Sequence, residues 1–112
     1  MRVAVLYDAY LAELDAAPDT RGALDAVEAV SAGAGLVVVS DAAAGPELAP
    51  VPAALAVGAV HTALLRAGLR TRASLVAAVD DARESHHVAC LLALGAEAVH
   101  PRLALATVAA LA

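Results

Sequence analysis

The sequence contains no lysine, no phenylalanine and no tryptophan, and it has one cysteine. Each absence narrows what the chain can do. All seven basic residues are arginine and the net charge is −5, so no basic face exists to neutralise nucleic-acid phosphates. Tyr7 and Tyr10 are the only aromatic residues, too few for a base-stacking platform. Cys90 has no partner for an internal disulfide, which fits a reducing, cytoplasmic setting. A single cysteine also cannot ligate an iron–sulfur cluster. The opening MRVAVLYDAY meets Asp8 too soon to supply the apolar core of a signal peptide.

What is present is small and apolar. Hydrophobic residues make up 62% of the chain, much of that alanine, so the core must be built from Val, Leu and Ala packed closely. A length of 112 residues predicts one domain, 1–112, with a modest core. Leu48–Leu65 carries no formal charge and is just long enough to span a bilayer. It contains Pro50, Pro52, Gly58 and His61, and its first residues read as a loop. A buried helix starting near Pro52 is the better reading, with no membrane segment.

Four apolar runs read as strands: Arg2–Tyr7, Leu36–Ser40, Ser74–Val79 and Glu97–His100. LVVVS at Leu36–Ser40 is the clearest, a β-branched run bounded by Gly35 and Asp41. Each run precedes a segment of helical character: Gly22–Ala32, Pro52–Ala67, Ala82–Leu94 and Leu103–Leu111. Pro52 suits a first helical turn. Gly33, Gly68 and Gly95 fall where three of the helices should stop. The order βαβαβαβα predicts an α/β domain whose strands are parallel and joined by right-handed crossovers. It is compatible with half of a (β/α)-barrel or with a small open sheet. In a half-barrel every helix lies on one side and the other sheet face is bare; both arrangements leave sheet edges unpaired. A homo-oligomer or a partner domain is therefore predicted.

Several residues invite chemistry. Ser40-Asp41, Val79-Asp80 and His100-Pro101 end consecutive strands, which places them on one rim of a parallel sheet, and Arg102 follows. Asp41, Asp80, His100 and Arg102 form a possible ligand rim, the place where α/β proteins bind small molecules. The serine lacks a G-x-S-x-G elbow, and capping and turn chemistry account for the Asp residues. His86 and His87 sit side by side at a helix start, about 100° apart, and do not share one ligand face; Ser85 or Asp81 would cap that helix. His61, His86, His87, His100, Asp41 and Cys90 are available for a metal, but no pair among them reads as the i, i+4 or CxxC pattern that signals zinc, so no metal site is predicted. Arg66, Arg70 and Arg72 could clamp a carboxylate or phosphate, or make ion pairs.

The stretch Pro52–Val76, PAALAVGAVHTALLRAGLRTRASLV, resembles the central domain of the glutamate synthase large subunit. The resemblance continues through Ala82–Gly95 (ARESHHVACLLALG) and Ala96–Ala106 (AEAVHPRLALA), and includes LVVVSD at Leu36–Asp41. It runs from Leu36 onward, and the residues before that fit more loosely. GLRTR, then the His pair, then the turn G-A-x-A-V-x-P make a specific combination. The chain departs from the family pattern at chosen places. Three consecutive histidines become His61, Thr62 and Ala63. A glycine-bearing turn becomes Val79, Asp80 and Asp81; Asn-Pro-Tyr becomes His100, Pro101 and Arg102; an aromatic becomes Val88. The resemblance implies a domain that connects an amidotransferase domain, which carries the catalytic cysteine, to a synthase domain that holds FMN and an iron–sulfur cluster. This sequence has neither the cluster cysteines nor the length of a flavin barrel. It is expected to be a non-catalytic structural or interaction module in glutamate biosynthesis, with no cofactor. Its expected partners are itself or other glutamate synthase-type domains. The alternative is a small-molecule-binding protein or minor enzyme that uses the strand-end rim.

Overall fold

The computed structural model describes residues 2–7, 9–11, 20–46 and 48–112. Four parallel strands form one sheet: β1 (Arg2–Tyr7), β3 (Ala34–Ser40), β5 (Ser74–Val79) and β6 (Ala98–Pro101). Each is followed by a helix: α1 (Thr20–Ser31), α2 (Ala53–Arg66), α3 (Ser85–Ala93) and α4 (Arg102–Leu111). A two-stranded antiparallel ribbon, β2 (Ala9–Leu11) with β4 (Leu48–Pro50), is an addition to the expected order.

The sheet runs β1-β3-β5-β6, so strands adjacent in the βα series are adjacent in space, and the sheet is open. Right-handed crossovers between successive neighbours put their helices on one face. Packing agrees: α1 lies on α2, α2 on α3, and all three contact the same sheet. The core fills the space between. From the sheet come Val37, Val39, Leu75, Ala77 and Val79; from the helices come Ala26, Val30, Val57, Val60, Leu64 and Leu91. With no Phe or Trp in the chain, Leu64 and Leu75 are the largest fully buried side chains among the described residues. Truncating either to alanine would cost about 2–5 kcal/mol.

The alternate residues face away from the helices. Strand register aligns them in rows: Val3, Leu36 and Ser74; then Val5, Val38, Val76 and Ala98. Val3 and Val5 are 53% and 48% exposed. This second face carries no helix of α1–α3 and no charged side chain in those rows. α4 stands apart as well. It touches the sheet at β5, and none of its residues is buried, although Leu103, Leu105, Val108 and Leu111 repeat along it.

Element boundaries shift where tertiary contacts intervene. α3 begins at Ser85 rather than Ala82 because the preceding residues are engaged elsewhere. Ala82 is buried in the core, and Asp81 Oδ2 accepts from the Ala53 N–H (2.9 Å), capping α2 instead of α3. The chain stays extended through Glu84 (φ −148°, ψ 172°) before it turns. β6 runs on to Pro101, at the end of an edge strand that pairs only with β5. Leu48–Leu65 divides into β4, a two-residue link and most of α2, which is 14 residues long. No helix among the described residues is long and apolar enough to cross a membrane.

Gly33, Gly68 and Gly95 all adopt positive φ, as expected of helix stops. Gly95 is doubly constrained. Its φ is +128°, and a Cβ there would meet the His61 ring at 2.6 Å. We expect Gly95→Ala to lower unfolding free energy by at least about 2 kcal/mol, the left-handed penalty plus the steric one. Measured within a His61→Ala background, which removes the ring, the Gly95→Ala penalty should fall to the left-handed part alone, read by urea denaturation.

Candidate functional site

The rim at the C-terminal ends of the strands holds three of the four expected residues together. Asp41 follows β3, Asp80 follows β5 and Arg102 follows β6. Asp41 is buried, and its Oδ2 accepts from the Asp80 N–H (2.7 Å). Its Oδ1 accepts from Arg102 Nη2 (2.9 Å), and the same nitrogen donates to Asp80 Oδ2 (2.9 Å). One guanidinium thus ties two carboxylates across the ends of three strands. Arg102 opens α4, where a cation is disfavoured by the helix dipole; the two carboxylates offset that cost. The Nε of Arg102 is buried without a partner among the described residues. His100 lies apart, exposed in the row Ser40–Ala78–His100 and with no side-chain hydrogen bond among the described residues. Ser40 Oγ accepts from the Ala42 N–H (3.2 Å) and shapes the turn after β3.

The opposite edge is organised by the GLRTR segment. Gly68, at φ +70°, ends α2, and the Leu69 N–H reaches back to the Leu64 carbonyl (2.8 Å), a Schellman closure that drops Leu69 into the core. A 3-10 turn at Arg70–Arg72 follows. Arg70 Nε donates to His61 Nδ1 (2.9 Å), Nη1 to the Ala73 carbonyl (2.8 Å) and Nη2 to the Gly95 carbonyl (2.8 Å). Nη2 also lies 2.9 Å from Glu97 Oε1. The Arg70 hydrogen bond and charge, helped by bonds from Ser74 and Leu75, hold the Glu97 carboxyl below its ordinary value of 4.5 against the opposing effect of burial.

This scaffold is shared with proteins of one family. A model of the glutamate synthase central domain matches residues 3–112. The chain belongs to the glutamate synthase central domain family. It is 45% identical over 82 residues to the glutamate synthase [NADPH] large chain of Bacillus subtilis, covering 73% of this chain. It is 42% identical over 115 residues to ferredoxin-dependent glutamate synthase 2 of Synechocystis, covering 95% of this chain. It is 44% identical over 77 residues to the large chain of Azospirillum brasilense, covering 69%. The chain spans only 5%, 7% and 5% of those relatives' lengths. The family match reaches back to residue 3, well before the Leu36 boundary expected from the motifs alone.

Other candidates in this central domain separate. His87 Nδ1 accepts from the Arg83 N–H (3.1 Å) and its Nε2 lies 3.9 Å from Glu84, so it braces the start of α3, which has no side-chain cap on Glu84. His86 is exposed, with Nε2 3.6 Å from Cys90 Sγ one turn on. His86 and Cys90 are themselves an i, i+4 pair, which corrects the expectation that no such spacing occurs among the candidate ligands. Among the described residues no group of three or more His, Cys, Asp or Glu side chains gathers to hold a metal. Arg66 and Arg72 are exposed, and only Arg70 is drawn into a buried network.

Two expectations follow. Arg102→Met strands the buried Asp41 carboxylate and should cost about 3 kcal/mol, whereas Asp80→Asn, at a half-exposed position, should cost at most about 1 kcal/mol by chemical denaturation. Glu97, whose folded pKa is depressed, contributes stability that is complete above its ordinary value and is lost as pH falls through the folded value. Glu97→Gln should therefore flatten the acid limb of the stability–pH curve below about pH 4.5 and leave the fold's other pH dependence in place. The effect is small because the carboxylate is half exposed.

Proposed function

We propose that this chain acts through its surfaces, as a non-catalytic connecting module of a cytoplasmic glutamate synthase-type assembly in glutamate biosynthesis. The observation that carries the reading is the sheet face that α1–α3 leave uncovered among the described residues. Val3, Val5, Leu36, Val38 and Val76 form an apolar, uncharged field on a parallel sheet, a class of sheet that is ordinarily covered on both faces. α4 supports it: a helix apolar on every side is normally buried, and here no residue of it is. Family membership supports the kind of partner, other glutamate synthase-type domains, with a second copy of this chain as the alternative.

A second reading rests on one atom. The buried Nε of Arg102 has no acceptor among the described residues, and a small molecule bound beside Asp41, Asp80 and Arg102 would supply one. Calorimetric binding lost in Asp80→Asn and kept in His100→Ala would favour it.

The interface reading is tested by light scattering at micromolar concentration and by co-purification with the amidotransferase and flavin portions of a glutamate synthase. Association above the 11.1 kDa monomer, or capture by those portions, is expected. Val5→Asp should abolish it with less than about 0.5 kcal/mol change in stability, since the residue is already half exposed. A monodisperse monomer that captures neither portion would sink the proposal.

A further inference from the structure

The GLRTR edge contains a feature that the connecting role leaves unused. An open cleft of about 500 Å³ lies there, at the N-terminal ends of the strands, lined by His61, Arg70, Thr71, Arg72, Ser74 and Glu97 with the adjoining backbone. Its volume falls within the range of small-molecule sites. The polar groups divide into two sets. Arg70 is spent: all three of its nitrogens are engaged within the fold. Glu97 is spent with it, its carboxylate held by Arg70 and Ser74.

The other set is donors without acceptors. Arg72 is exposed, and no carboxylate among the described residues lies within ion-pairing distance of it. The Thr71 side chain makes no hydrogen bond among the described residues. His61 accepts from Arg70 at Nδ1, so the proton of its neutral ring sits on Nε2, where it can donate. A guanidinium, a hydroxyl and an imidazole N–H thus line a hollow whose only carboxylate is already neutralised, on a chain of net charge −5. Such a set suits a planar or tetrahedral oxyanion, which a guanidinium binds through paired hydrogen bonds.

We propose that this cleft binds a small molecule through a carboxylate or phosphate group, with Arg72 as the ion-pairing residue and Thr71 and His61 as supporting donors. The site is distinct from the strand-end rim and does not depend on the interface reading. Because the cleft is open to water, affinity for a minimal anion is expected near about 1 mM.

The test is an amide chemical-shift titration of the full chain with sodium phosphate and, separately, sodium succinate, at ionic strength held constant with sodium chloride. Saturable shifts at Thr71, Arg72 and Ser74 are expected with at least one probe, and the preferred probe distinguishes a phosphate from a carboxylate ligand. Arg72→Gln, at an exposed position and checked for fold by circular dichroism, should weaken binding about tenfold. Glu97→Gln should tighten it, because it removes the fixed negative charge and leaves one N–H of Arg70 Nη2 without its carboxylate. Shifts that stay linear to about 50 mM with both probes, or equal affinity in Arg72→Gln, overturn the proposal and mark an adventitious ion only.

Discussion

The guanidinium of Arg70 is the joint on which the second half of the domain is assembled. It is mostly buried and reaches acceptors in three places: the His61 ring on α2, the carbonyl before β5, and the backbone and carboxylate at Gly95 and Glu97 before β6. A lysine could not replace it, because three separate nitrogens are aimed in three directions by one rigid plane. Gly95 completes the joint by having no side chain, so that the His61 ring can close against the backbone. The GLRTR letters therefore encode a helix stop, a buried leucine and a cross-tie in five consecutive residues.

The parts of the fold that were legible in the sequence are those written in local periodicity. LVVVS and SLVAAV could only be strands, and the three glycines marked helix ends because a left-handed residue is needed there whatever surrounds it. The β2–β4 ribbon was not legible. Its strands are three residues each, one ends in a proline, and β4 lies in an irregular loop, so no alternation had room to show. The start of α3 was misplaced for a different reason. Asp81 looks like a local cap, yet its carboxylate serves α2, 28 residues away, and capping of that kind exists only after the chain has folded.

The rim shows the same division. That Asp41, Asp80 and Arg102 would share one edge followed from the strand order. That they would satisfy each other did not, because charge signs alone do not distinguish a waiting site from a closed ion pair. His100 was grouped with them by its place in the chain, but the two-residue alternation of β6 turns it toward the uncovered face. Asp80 and Arg102 are hydrogen-bonded to each other at 2.9 Å, so each supplies the other's partner.

Every strand of the main sheet is bonded only to the strand of the preceding or the following βα unit. Such a sheet can form in the order in which a ribosome delivers it. β3 finds β1 already present, β5 finds β3, and β6 finds β5, with no strand waiting for a partner that has yet to be made. The last strand then presents an unfilled ladder of amide and carbonyl groups, the same kind of template on which it was itself received. Growth by one further unit at that edge would need nothing from the earlier ones.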